Sequence, residues 1–160
     1  MAADAVPGSD EIVVRGCRFP RELLYDVPNH MWYREIEGGL VRVGMTAVAA
    51  ALADNRIFGF TPKRPGRDLE AGRSCATIES SKWVGPARIA FDGIVDAIND
   101  ELIDDPSHLV TDPYGKGWML IAKTAVASPL LHLVTGDSIL PAYTTWMNEN
   151  NFRGCSEGSS

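Results

Sequence analysis

The chain is 160 residues long, 45% hydrophobic and 22% charged, which suits one globular domain and excludes an extended disordered chain. Fifteen Lys and Arg against 21 Asp and Glu leave a net charge of −6, with no broad positive field for a nucleic-acid backbone. No run approaches the roughly 20 apolar residues of a membrane span, and Met1 to Asp10 lacks the basic start and apolar run of a secretory signal. A cytoplasmic protein with no nucleic-acid and no membrane partner is therefore expected.

In chain order, residues 1–12 read as a flexible tail, 13–152 as one domain and 153–160 as a second tail. Leu40 to Met45 alternates apolar with small or polar residues, as a half-buried strand does. Thr46 to Leu52 follows as an Ala-rich helix with threonine at its N-cap. Strand character returns at Ile57 to Thr61, Cys75 to Ile78, Arg88 to Phe91 and Ile94 to Ile98. Turn signals separate these runs, at Pro62 to Gly66, Ala71-Gly72 and Asp92-Gly93. Pro106 to Val110 predicts a single helical turn after Asp105, and Trp118 to Ala122 a strand buried on both faces. Ser128 to Val134 and Ser138 to Glu149 each carry apolar residues at helical spacing. Short strands about 10 residues apart, with no long alternation of strand and helix, predict a mainly β barrel or sandwich with short peripheral helices.

Three cysteines, Cys17, Cys75 and Cys155, are widely spaced and form no C-x-x-C, so neither a zinc site nor a secreted disulfide scaffold is expected. Arg15-Gly16-Cys17 recurs as Arg153-Gly154-Cys155. Because chain ends often meet, the two thiols are candidates to lie together, the alternative being a coincidental repeat, and a reducing cytoplasm would keep them free even if close; Cys75 reads as a core residue. His30, His108 and His132 are scattered, with no nucleophile elbow and no H-x-x-x-H, so no catalytic residue and no metal site are predicted. The run Asp92, Asp96, Asp100, Glu101, Asp104 and Asp105 reads as a solvated face.

The most informative segment is Cys75 to Ile98. Glu79-Ser80-Ser81-Lys82 lies between two strand-like runs, so Lys82 is expected at an exposed turn, with Trp83 exposed beside it. Taken alone, this is a surface turn with a solvated lysine. The wider pattern changes the reading. E-S-x-K with Gly93 eleven residues after the lysine resembles the lipoyl-lysine hairpin of the glycine cleavage H-protein family. His30-Met31-Trp32, Val43-Gly44-Met45-Thr46, Asp104-Asp105-Pro106 and Asp112-Pro113-Tyr114-Gly115-Lys116-Gly117-Trp118 resemble further elements of that family in the same order.

The resemblance implies a barrel-sandwich hybrid of two antiparallel sheets and a carrier, not an enzyme. Lipoic acid would be joined by an amide to Lys82, with Glu79 and Gly93 read by the modifying enzyme and Ser80, Ser81 and Trp83 flanking the site. Stem and acyl chain together reach roughly 14 Å from the Cα. Biotinyl hairpins resemble A-M-K-M, which Ser81 and Trp83 do not match. His30 is either a residue of a groove near the arm or a polar residue at a strand end. The implied modifying partner is a lipoate ligase or an octanoyl or lipoyl transferase.

Trp83 stands where H proteins resemble E-S-V-K-A, and Leu52-Ala53-Asp54-Asn55-Arg56-Ile57 departs from their L-G-D-I-V. With Thr61-Pro62-Lys63, Ser74-Cys75-Ala76-Thr77 and the two Arg-Gly-Cys ends, these features are more similar to lipoate-binding relatives in sulfur oxidation. Those relatives work with a heterodisulfide-reductase-like complex and sulfurtransferases. The expected function is accordingly a shuttle of sulfur-bound intermediates and electrons. The alternatives are a glycine cleavage H protein carrying an aminomethyl group among decarboxylase, aminomethyltransferase and dihydrolipoamide dehydrogenase, or an unlipoylated binding module.

Overall fold

The computed structural model describes residues 10–124, 130 and 132–155. Its strands are β1 (Glu11–Val14), β2 (Cys17–Pro20), β3 (Leu24–Asp26), β4 (Met31–Ile36), β5 (Leu40–Met45), β6 (Ile57–Pro62), β7 (Asp68–Leu69), β8 (Ser74–Ser80), β9 (Val84–Arg88), β10 (Gly93–Ile98) and β11 (Leu120–Thr124). The helices are α1 (Ala47–Leu52), α2 (Asp100–Asp104), α3 (His108–Thr111) and α4 (Ile139–Glu149). A six-stranded sheet runs β3-β4-β5-β11-β10-β7, and a three-stranded sheet runs β6-β8-β9. The hairpin β1-β2 forms a separate pair, and all pairings are antiparallel. This is the expected mainly β architecture with short helices at its edge.

Strand periodicity makes two cores from one sheet. Met31 and Tyr33 of β4 point into the main core, where Val43, Leu120 and Ala122 of the larger sheet meet Phe60, Ile78 and Ala87 of the smaller one. Trp32, between them in sequence, points the other way. It joins Phe19, Tyr25, Val48, Ile139, Tyr143 and Met147 in a second core under the β1-β2 hairpin, α1 and α4. Phe19 stacks on Tyr143 with ring centroids 4.1 Å apart, and Tyr25 meets Tyr143 edge-on.

Gly44 pairs with Trp32 across β4 and β5, and the indole occupies the space a Cβ on Gly44 would need. The Trp32 Nε1–H donates to the Pro113 carbonyl at 3.0 Å, and the Tyr114 hydroxyl accepts from the Ala47 amide at 3.1 Å. The H-x-W, V-G-x-T and D-P-Y-G elements thus converge on one buried junction.

The two Arg-Gly-Cys segments do meet, and their cysteines are bonded rather than free. Cys17 and Cys155 form a disulfide with Cα atoms 4.9 Å apart, and the Cys155 amide donates to the Arg15 carbonyl at 2.9 Å. The Arg15 guanidinium reaches the Phe152 carbonyl at 2.6 Å and the Asn148 side chain. The repeated Arg-Gly-Cys segments therefore lie against each other. Cys75 is buried, and burial pushes its thiol up to about 12.

Several expectations shift. Glu11 and Ile12, placed in the tail, pair with Pro20 and Phe19 in β1-β2, and Arg153 to Cys155 are tied down by the disulfide. The strand expected at Arg88 to Phe91 ends at Arg88. Ile89 and Phe91 are buried in a crossover between the sheets, where the Ala90 amide donates to the Tyr33 hydroxyl at 3.0 Å. Their alternation reflects burial of a connection rather than pairing. Of the helix expected over Ser128 to Val134, residues 128, 129 and 131 lie outside the described residues. His132 is in a turn and Val134 makes a β-bridge to Tyr25. The acidic run contains α2, which buries Leu102.

Candidate functional site

Ser81, Lys82 and Trp83 form the turn that joins β8 to β9, whose last register pair is Glu79 with Val84. Small polar residues suit this position because their side chains can satisfy backbone groups that the ladder leaves open. The Ser80 side chain does so. Its Oγ accepts from the amides of Lys82 at 3.2 Å and Trp83 at 3.0 Å and donates to the Trp83 carbonyl at 2.8 Å. The Ser80 amide donates to that same carbonyl at 2.9 Å.

Lys82 is exposed, and its ammonium makes no hydrogen bond or ion pair among the described residues. Acylating this amine would remove a charge that no fold contact uses. The other lysines differ: Lys63 is half-buried with Nζ 3.3 Å from the Asp68 carbonyl, Lys116 sits between two glycines, and Lys123 is on β11. The site fits a covalent arm at Lys82.

Each predicted site residue has a place. Glu79 is exposed on the outer face of β8, its carboxylate lying over Gly59 of β6, where an added Cβ would come within 2.5 Å of Oε1. Val84, 68% exposed, shares that face. Trp83 is half-buried, not exposed as the sequence predicts, because its ring packs on the main core and its Nε1–H donates to the Leu52 carbonyl at 3.2 Å. Gly93 is buried in β10, paired with Leu69 on one side and Thr124 on the other. This is the end of the hairpin remote from Lys82, since β9 alone spans about 14 Å. A Cβ there would collide with the Lys123 carbonyl, so packing requires the glycine.

His30 lies at the opposite end of α1 from the turn. Its carbonyl accepts the Thr46 amide, its ring meets Trp146 edge-on at 4.6 Å, and burial lowers its pKa to about 4. The polar strand-end reading describes it. What sequence reasoning missed is the platform under the lysine: the turn Leu52–Arg56, whose carbonyls face the hairpin tip. The signal was Asp54-Asn55, residue types that tolerate the left-handed conformation they adopt, at φ 58° and 56°.

The glycine cleavage H-protein family model matches residues 23–144. The chain belongs to this family. It is 42% identical over 120 residues to glycine cleavage system H protein 5 of Aquifex aeolicus, covering 72% of this chain and 78% of that one. The corresponding figures for probable H protein 2 of Sulfurisphaera tokodaii are 30% over 142 residues, 88% and 95%. The crystal structure of an H protein from Mycobacterium marinum superposes with a TM-score of 0.66 at 28% identity, covering 84% of this chain and all of that one. H proteins are carriers rather than enzymes, and the family bears a covalently bound lipoic acid.

Proposed function

We propose that Lys82 is the lipoylated residue of this H protein, and that its arm takes up a group at one partner enzyme and delivers it at the next. The observation that carries this is an exposed lysine with no partner among the described residues, at a turn whose neighbours are braced, in the E-S-x-K of a lipoyl-bearing family. When bound, the lipoyl group supplies a disulfide–dithiol pair able to accept and release cargo and electrons by exchange. The chain's own residues hold the arm's root. Ser80 satisfies the turn amides, Gly93 fixes the far end of the hairpin, and Glu79 gives the modifying enzyme a charged contact three residues before the lysine.

The cargo best supported by the relatives' names is the aminomethyl group of glycine cleavage, carried among the decarboxylase, aminomethyltransferase and dihydrolipoamide dehydrogenase. A lipoate ligase or octanoyl or lipoyl transferase would attach the arm. A second reading, sulfur carriage with a heterodisulfide-reductase-like complex and sulfurtransferases, is kept for one observation. Trp83 fills the position after the lysine with a large ring.

The test uses lipoylated protein in two assays. Glycine-dependent exchange with the decarboxylase and no sulfur loading from a sulfurtransferase supports the first reading. The reverse supports the second, and activity in neither overturns both.

A further inference from the structure

The residues on both sides of Lys82 are tied to the same place. The Ser81 amide donates to the Arg56 carbonyl at 3.2 Å, and its hydroxyl lies 3.5 Å from the Ala53 carbonyl. On the other side, the Trp83 Nε1–H donates to the Leu52 carbonyl at 3.2 Å. All three acceptors belong to the turn that closes α1. The last carbonyls of a helix have no partner within it; that of Leu52 takes the indole, while that of Ala53 also accepts the Arg56 amide at 3.1 Å. Here the reversal through Asp54 and Asn55 leaves them facing the hairpin tip.

A three-residue hairpin turn with only its own bonds is an element that opens easily. This one is docked at two points, with the Trp83 ring packed on the main core between them. Lys82, between them, is exposed, and its ammonium makes no contact among the described residues.

We propose that Trp83 is a positioning residue for the carrier lysine. Its indole fastens the Lys82 turn to the end of α1, so that the amine and any arm on it leave from a fixed root. This rests on Lys82 being the acceptor lysine. The donor is specific to Trp83, whereas the acceptors are backbone carbonyls that the Asp54-Asn55 reversal places at the tip. Partners of this chain must then take the lysine from a docked tip, and an enzyme that needs the tip free-standing is excluded by the fit.

The experiment compares wild type, Trp83→Ala and Trp83→Phe, the last retaining a ring without the N–H. Amide hydrogen exchange is measured at Ser81, whose bond to Arg56 closes the dock. KM and kcat are measured for lipoylation of the intact chain by a lipoate ligase. Trp83→Ala should speed Ser81 exchange by about tenfold or more while exchange in β4 and β5 is unchanged, with Trp83→Phe between. The KM of the carrier should rise severalfold with kcat held, because presentation rather than chemistry is altered. Unchanged Ser81 exchange, or an unchanged KM, overturns the proposal. Exchange does not depend on lipoylation. Accelerated exchange in Trp83→Ala, with wild-type Lys82 refused by the ligase, would support the clamp and reject the function assigned to the lysine.

Discussion

At its first residue, α1 gives the Ala47 amide to Tyr114, and the sulfur of Cys155 lies 3.5 Å from the Ala47 carbonyl. At Leu52, about 7.5 Å further on, the same helix gives its carbonyl to the ring beside an exposed lysine. The first end is closed, with Trp32 on Gly44, Cys17 joined to Cys155 by a disulfide and aromatic rings packed together. The second end is more open: the Trp83 ring rests half-buried on the main core, and three backbone carbonyls hold the turn. Burial makes the first end responsible for stability. The second can then present a group to partners without entangling it in the fold. Substitutions at the two ends should therefore have different consequences, global at the closed end and local at the open one.

The largest effect is expected at the closed end. Trp32→Ala removes a fully buried indole and its bond to Pro113, and should cost about 4 kcal/mol in denaturant unfolding. Next is the staple. The disulfide joins residues 138 apart, so Cys155→Ser should lower stability by about 3 to 4 kcal/mol. Dithiothreitol should bring wild type to the same value and leave the variant unmoved.

His30 adds a pH dependence of about 3 kcal/mol to the closed end. Burial holds its folded pKa near 4 against 6.5 for the free side chain, so the unfolded chain takes up the proton first. Its contribution is complete above about pH 6.5 and is lost as pH falls towards 4. His30→Asn, which tolerates the φ of 59° found there, should flatten that part of the stability–pH curve relative to wild type. At the open end, Ser80→Ala strips an acceptor from two turn amides and should cost only about 1 kcal/mol. Its main readout is faster exchange of the Lys82 and Trp83 amides. A larger loss of global stability there than at Trp32 would break the comparison.

The two ends also differed in how legible they were. Leu40 to Met45 and the helix after Thr46 were readable because alternation and alanine content are local signals. The repeated Arg-Gly-Cys placed two distant cysteines together, since the repetition itself survives without knowledge of the path between them. The motifs that reveal the family proved to be packing devices, among them Gly44 for Trp32 and Gly93 for Lys123, so recognition came from the scaffold rather than the chemistry. Trp83 was misjudged because its partner is the carbonyl of Leu52, 31 residues away, and no local pattern encodes that bond. The β1-β2 hairpin was missed for a similar reason. Its strands are only four residues long and β1 runs Ile-Val-Val without alternation, while their burial comes from α1 and α4.

The most direct test of the central claim is the mass of the protein isolated from its native host. Intact-mass measurement and peptide mapping should find one lipoyl group, on the peptide containing Lys82, and none on the Lys82→Arg variant, whose stability should match wild type within about 0.5 kcal/mol. An unmodified Lys82, or the same added mass persisting on Lys82→Arg, would contradict the assignment of this turn as the carrier site.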